Sequence, residues 1–467
     1  MEHFDAAIIG SGISALSSAL LFSKRGKKTA VFEQAAKIAP LLAGFDRKGF
    51  HFETGFHYSG AIGAQECGGF LFRELGIDVP VEECDSDGYD ILLLQDSQRE
   101  FKMPFGRKNM ESRLNEFFPK ESAAINKYLN LMEEEIAKSP FLNMRKRNYS
   151  NEEFLLWDGD KTAVSQVLDK CFKDDEIKTV LSFSQLLYGV PPSQCSFMFH
   201  CCCAGIMQES VWKIKGGAMT FVKAAQAALL SKGAKLFTNK KVVKISVEKN
   251  KKILFFEDGD AISADIAVSS IAPKEFIKIM PEGTYRKAAI ERIQSAKDTI
   301  GFFTLYGAAK EDLRYENINS LAAAKKQDYL SDFKDAFYVN FQDKGAVCAA
   351  MSVNSEEKFW DIPKDRYIEI KERYSAELKN KISQNWSGLL DKIDFLESSA
   401  PATMKRYVNY YGAYGFKHSL DSVNIAPITN TPGLYLIGQA VVTPGLLGAM
   451  ISSFLLDKII FNRDGSK

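Results

Sequence analysis

The chain has 467 residues, too long for one ordinary hydrophobic core, and its size points to two structural regions. Apolar residues make up 46% and charged residues 25%, a folded globular profile that excludes disordered and fibrous classes. The formal charge is +1 and no domain-long basic stripe interrupts that balance, so nucleic acid is not an expected partner.

Met1 to Asp5 pass straight into a strand pattern, without a basic region or a cleavage site, so export is not expected. No segment reaches the ~18 consecutive apolar residues of a membrane span. The eight cysteines include the run Cys201, Cys202 and Cys203, whose adjacent thiols are awkward for independent disulfides. Their spacing lacks the C-x-x-C pairs of a zinc or iron–sulfur site. Buried, inert thiols in a reducing compartment, and no metal, are therefore expected, and the chain reads as cytoplasmic.

The first segment reads strand Ala6 to Ile9, glycine turn, helix Ile13 to Lys24, and strand Thr29 to Phe32, a βαβ unit. Its turn has the spacing Gly10-x-Gly12-x-x-Ala15. The first glycine permits the tight turn, the second lets backbone approach a pyrophosphate, and Ala15 is small enough for helix to pack on strand. Ile13 and Ser14 begin the helix, whose N-terminus faces the phosphates. Glu33, followed by Gln34, ends the second strand, where a carboxylate accepts from a ribose hydroxyl and repels a 2′-phosphate. NADP is thereby disfavoured, while this motif alone does not separate FAD from NAD.

Residues from about 90 to 204 carry helical periodicity, as in Ser122 to Ala137, and read as an inserted region. From Lys213 a glycine pair and a helix through Leu230 lead to strands Lys241 to Val247 and Lys252 to Phe256, followed by the turn Asp258-Gly259-Asp260. Residues 290 to 420 mix strands, Gly301 to Tyr306 and Ala346 to Val353, with a charged helix, Lys364 to Ser383. Tyr407, Tyr410 and Tyr411 read as β-sheet aromatics. No internal repeat is visible.

The run Gly49 to Gly60, containing His57 and Tyr58, resembles the segment after the dinucleotide unit in retinol saturases and phytoene-desaturase-like flavoproteins, relatives of the flavin amine oxidases. Tyr188 to Pro192, Ile214 to Met219, Ala264 to Pro273, Tyr414 to His418, Pro432 to Gln439 and Pro444 to Ala449 are similar to further blocks of that group. The resemblance spans the chain and is patchy between blocks. It implies an α/β fold in which a Rossmann-type FAD-binding domain (1–90, 205–290 and 425–467) is interleaved with an α+β substrate-binding domain (91–204 and 291–424). FAD is the implied cofactor, contacted by Gly10, Gly12, Ile13, Ser14, Ala15, Glu33, Gln34, Gly55, Val243, Gly438, Gln439, Gly445, Gly448 and Ala449. A strand ending at Gly438 and a helix starting near Gly448 would bring backbone N–H groups to the cofactor. Two departures stand out. Ala39-Pro40 occupies the place of an expected Gly-Gly pair, and Ala440 stands where saturase-like sequences tend to carry an acid.

The resemblance also implies chemistry on C=C bonds of a polyene or isoprenoid lipid, with saturation as the leading reading. Desaturation or cis–trans isomerisation with the same cofactor is the alternative, and a prenyl-lipid carrier without flavin chemistry is another. Saturation needs a hydride and a proton. His57 and Tyr58 are the first candidates for the proton, with Tyr414 and His418 as a second pair. An external electron donor or acceptor is implied, because no second dinucleotide motif follows a strand. Pro140 to Arg147 combines apolar and basic residues, which suits a peripheral membrane surface if the substrate is a membrane lipid, and otherwise a solvated turn.

Overall fold

A computed structural model describes residues 1–143, 153, 161–311, 313, 318–329, 336–355, 362–422 and 425–461. The chain opens with strand β1 (Glu2–Ile9), helix α1 (Ile13–Lys24) and strand β2 (Thr29–Phe32). Ala6 to Ile9 are buried on both faces, which explains a continuous apolar run in place of alternation. Strand β1 pairs in parallel with β2 on one side and with Ala261–Ser269 on the other. The sheet has seven strands: Lys235–Phe237 and Leu434–Leu436 extend the parallel set, while Val242–Glu248 and Lys251–Phe256 form an antiparallel hairpin. Three distant stretches of chain thus build one sheet. Helix α1 packs on it beside Ala218–Ser231 and Gly445–Phe461, and Ile13 to Ser23 are all buried between these layers.

The second sheet also has seven strands, in the order Ile393–Ser399, Gly301–Ala309, Ala346–Val353, Phe337–Phe341, Ser320–Ala324, Asp90–Leu94 and Arg99–Met103. Neighbours are antiparallel except Ser320–Ala324 and Asp90–Leu94, which run parallel. A period of two sorts its faces. Phe303, Leu305, Leu321, Val339 and Ala349 join Leu378 and Ile382 of the helix Lys364–Asn385 in one core. The intervening Thr304, Ser320, Ala322, Tyr338 and Cys348 face a cavity. A layer of helices, including Ser122–Lys138 and Phe197–Glu209, closes one side around Ile125, Tyr128 and Leu129.

Two expectations are corrected. Residues 90–103, read as the start of a helical insertion, form a hairpin of the second sheet. Asp90 to Leu94 are buried on both faces, and that burial removes the two-residue alternation that would have marked a strand. Tyr407 lies on the helix Pro401–Val408, not in a sheet, and Tyr410 and Tyr411 follow it in an irregular segment. Pro401 begins that helix, where its missing N–H costs nothing and its fixed φ suits the first turn.

No disulfide links the cysteines among the described residues, and five of the eight, Cys67, Cys195, Cys201, Cys202 and Cys348, are buried. Among the described residues no helix is long and apolar enough to cross a membrane. Of the basic segment proposed to meet a membrane, Met144 to Arg147 lie outside the described residues.

Candidate functional site

One cavity of about 1680 Å³ runs from the C-terminal ends of the parallel strands to the face of the second sheet. A pocket for one small ligand occupies roughly 300–1,000 Å³, so this volume suits a dinucleotide together with a second molecule.

Its first end is built by the βαβ turn. Gly10 has φ +93°, and a Cβ there would stand 2.4 Å from Ser270 Oγ, so this glycine serves the turn itself. Gly12 is different: a Cβ at Gly12 would meet nothing within 4 Å, and its φ of −61° is open to any residue. Space in front of Gly12 is therefore left to a ligand. Helix α1 has no side-chain cap and no acid in its first turn, and the helix Gly445–Phe461 likewise has no acid in its first turn. Ala218–Ser231 is the contrast, since Ala218 N–H donates to Glu53 Oε1 at 2.8 Å. The N-termini at Ile13 and Gly445 instead meet the cavity, where their N–H groups and dipoles favour an anion.

Glu33 is buried at the cavity wall and orders the neighbouring loop. Ser11 Oγ donates to Glu33 Oε2 at 2.5 Å, Ala39 N–H donates to Ser11 Oγ at 2.7 Å, and Ala35 N–H donates to Glu33 Oε1 at 2.8 Å. Ala39 has φ +49°, the left-handed conformation a glycine would adopt freely. The Ala39-Pro40 segment thus keeps a glycine-like backbone, at a cost of about 1–2 kcal/mol. These residues fit the phosphate and ribose portions of a flavin dinucleotide.

The far end of the cavity lies on the second sheet. Tyr58 donates its hydroxyl to Asp90 Oδ2, and Asp90 pairs in register with Ser320. Burial and then the nearby Asp90 raise the Tyr58 phenol well above its ordinary range. Burial pushes the Asp90 carboxyl up to about 7, against the hydrogen bond from Tyr58. His57 lies beside Gln342, Nε2 to Nδ1 3.4 Å, and 4.0 Å from Glu53 Oε2. Burial, then the Lys213 charge, lowers His57 to about 4, while burial raises Glu53 to about 7. Burial thus disfavours the charged form of both groups.

The second candidate pair is more firmly engaged. Tyr414 Oη donates to the Leu186 carbonyl at 2.5 Å, and burial raises its phenol. His418 Nε2 lies 2.8 Å from the Gln439 carbonyl oxygen, so it is the N–H donor there, and its ring stacks on Phe199. Burial holds His418 near 4. Both residues line the cavity, with their polar atoms turned to backbone.

Every residue named from the sequence as a cofactor contact lines this cavity except Ala15, which is fully buried beneath the turn. Val243 sits at a register shift in its strand. The C-terminal helix starts at Gly445, not near Gly448. At Gly448 a Cβ would come 2.0 Å from Thr443 Oγ1, so that glycine permits close packing inside the first turn. Ser11, Glu53, Asp90 and Tyr338 were not singled out. Asp90 heads the apolar run Ile91 to Leu94 and looks like a turn residue in sequence; only the pairing with Ser320 brings it to the cavity. Phe141 and Leu142, from the proposed membrane segment, line the cavity as well.

A glycine turn, two helix N-termini and a buried carboxylate thus open into an aromatic-walled chamber, an arrangement suited to a dinucleotide beside a second molecule. The chain belongs to the flavin containing amine oxidoreductase family, whose model matches residues 13–297. It is 23% identical to the all-trans-retinol 13,14-reductase of Rattus norvegicus, over 99% of this chain and 86% of that protein. It is 24% identical, with the same coverage, to the inactive all-trans-retinol 13,14-reductase of Danio rerio. Against the 4,4′-diapophytoene desaturase of a Methylomonas species the identity is 21%, over 64% of this chain and 60% of the relative. An oxidoreductase structure from Methanosarcina mazei superposes with a TM-score of 0.68 at 15% identity, covering 97% of this chain and 99% of that one, and shares the fold.

Proposed function

We propose that the protein is an FAD-dependent oxidoreductase that adds hydrogen across a C=C bond of a polyene or isoprenoid lipid. The observation that carries this reading is the continuity of one cavity from the Gly12–Glu33 cradle to a chamber walled by Phe302, Tyr338 and Tyr414. Full-length similarity to retinol 13,14-reductases supports the reductive direction. The division into an FAD domain and a substrate domain, with the boundaries expected from sequence, is part of the same proposal.

When bound, FAD supplies the hydride and electron-pair chemistry that side chains lack. Gly12, the N-terminus of α1 and the N-terminus at Gly445 would hold its pyrophosphate, and Glu33 its ribose. The chain's own residues then exclude water and hold the proton. Phe302, Tyr338 and Tyr414 form an apolar wall with ring centroids about 6 Å apart, 6.0 Å for Phe302 and Tyr338 and 6.2 Å for Phe302 and Tyr414. Such a wall accepts conjugated carbon without demanding hydrogen bonds. His57 is neutral above about pH 4 and Tyr58 retains its phenolic proton.

The test is anaerobic reduction of the FAD-loaded protein by dithionite, followed by addition of all-trans-retinol or an acyclic carotenoid. Reoxidation of the flavin with formation of a dihydro product supports a saturase. Oxidised protein that instead introduces double bonds assigns the desaturase direction, and failure of every polyene in both states removes this substrate class.

A further inference from the structure

Asp90 opens a strand of the second sheet and is only 7% exposed, yet it lies at the cavity wall. Its Oδ2 accepts from Tyr58, and its Oδ1 is buried without a well-formed hydrogen bond. The groups facing the pair are Tyr89 on the same segment, Ser320 on the neighbouring strand, Cys84, and Lys213 from the strand Val211–Ile214. Tyr89 also packs edge-on to Tyr58, ring centroids 5.7 Å apart. Only Lys213 among these is a cation, and it favours the charged form of Asp90, while burial opposes it more strongly.

The two protonation states of Asp90 orient Tyr58 differently. An ionised carboxylate only accepts, so the phenolic hydrogen is committed to Oδ2. A protonated carboxyl can donate to the phenol oxygen, which frees the Tyr58 hydrogen to point into the cavity. Burial places the exchange between these states near pH 7.

We propose that Tyr58 and Asp90 form a proton-delivery pair in which Tyr58 protonates a carbon of the bound polyene and Asp90 reloads the phenol. The inference rests on the saturase reading. As the Tyr58 O–H bond breaks, a C–H bond forms at one carbon of the double bond, and the Asp90 proton passes to the phenol oxygen. The negative charge finishes on the carboxylate, which then regains a proton from solvent. The hydride, which carries both electrons, would come from flavin reduced by an external donor, dithionite in the experiment. Tyr58 is thus a catalytic residue, and Asp90 acts through it.

Two measurements on the full-length, FAD-loaded protein test the pair. In single turnovers of dithionite-reduced protein with all-trans-retinol, the wild-type rate is expected to fall about tenfold per pH unit above pH ~7. Asp90→Asn can still hydrogen-bond to the phenol but has no proton to pass to it, so it turns over at least ~10-fold more slowly and without this break. Tyr58→Phe slows turnover at least ~100-fold with flavin content unchanged. Infrared spectra recorded against pH without substrate, in a Glu53→Gln background that removes the other carboxyl raised to about 7, should show a carboxylic-acid carbonyl band that titrates near neutrality and is missing when Asp90→Asn is added. No such band, or a pH break that survives in Asp90→Asn, overturns the pair. If the band is present and retinol leaves the flavin reduced, the substrate reading fails and Asp90 is left as a neutral buried acid, which also refutes proton delivery to a polyene.

Discussion

Replacing Gly12 by Ala should separate cofactor binding from folding. The added methyl meets no protein atom within 4 Å, and the backbone at Gly12 is not left-handed, so the cost to the apoprotein is confined to the N-cap preference, about 1 kcal/mol or less. Any larger effect must come from what approaches Gly12. A pyrophosphate displaced by a methyl group loses one charge-assisted hydrogen bond to the N-terminus of α1, about 1.5–3 kcal/mol. The FAD dissociation constant should therefore rise between about 10- and 150-fold. Gly10→Ala is the matched control: its Cβ would sit 2.4 Å from Ser270 Oγ at φ +93°, so it should destabilise the apoprotein by about 2 kcal/mol or more. Urea melts of the apoproteins and FAD titrations followed by flavin fluorescence read the two effects apart. A folded Gly12→Ala protein that binds FAD as tightly as wild type would refute the assignment of this space to the cofactor.

Glu33→Ala removes the acceptor of the Ser11 and Ala35 hydrogen bonds together with the ribose contact, and FAD affinity should fall at least ~10-fold; unchanged affinity and stoichiometry would remove Glu33 from the site. Ala39→Gly relieves a left-handed alanine and should raise apoprotein stability by about 0.5–1 kcal/mol after the entropic cost of glycine, read as a higher urea midpoint. An unchanged or lower midpoint contradicts that strain. Between pH ~7 and ~4 two opposed sets titrate. His57, His200 and His418, depressed to about 4 by burial, contribute stability above the unfolded pKa of ~6.5 that is lost as pH falls towards 4. Glu53 and Asp90, raised to about 7, contribute stability at low pH that is lost as pH rises through 7. A Glu53→Gln, Asp90→Asn double variant leaves only the histidines, so its urea midpoint should fall more steeply than wild type on acidification. A midpoint independent of pH in that variant would contradict neutral, buried histidines.

The legible parts of the sequence were those whose local pattern and tertiary role coincide. Gly10, Gly12 and Glu33 are held by one βαβ unit, and the ends of α1 and β2 fall where the periodicity and turn residues put them. The C-terminal segment that lines the cavity was legible through Gly438 and the helix behind it, although Gly448 proved to be a packing glycine. Elsewhere long-range pairing decided. Asp90 to Leu94 carry no alternation because the strand is covered on both faces, and their parallel partner lies more than two hundred residues away. Asp90 therefore carried no local sign of the site. Ala39 adopts a backbone its side chain disfavours, held by hydrogen bonds from Ala39 N–H to Ser11 and from Ser11 to Glu33, which no propensity could reveal. Tyr414 and His418 lie at the cavity wall, while their polar atoms are turned to backbone carbonyls in a way that spacing does not encode.

The most direct test is the visible absorption spectrum of freshly purified protein before and after heat release, with the released cofactor identified by chromatography. Flavin bands and FAD approaching one per chain are the expected result. A colourless protein that also takes up no added FAD would contradict a flavin oxidoreductase and would leave the cavity to a lipid alone.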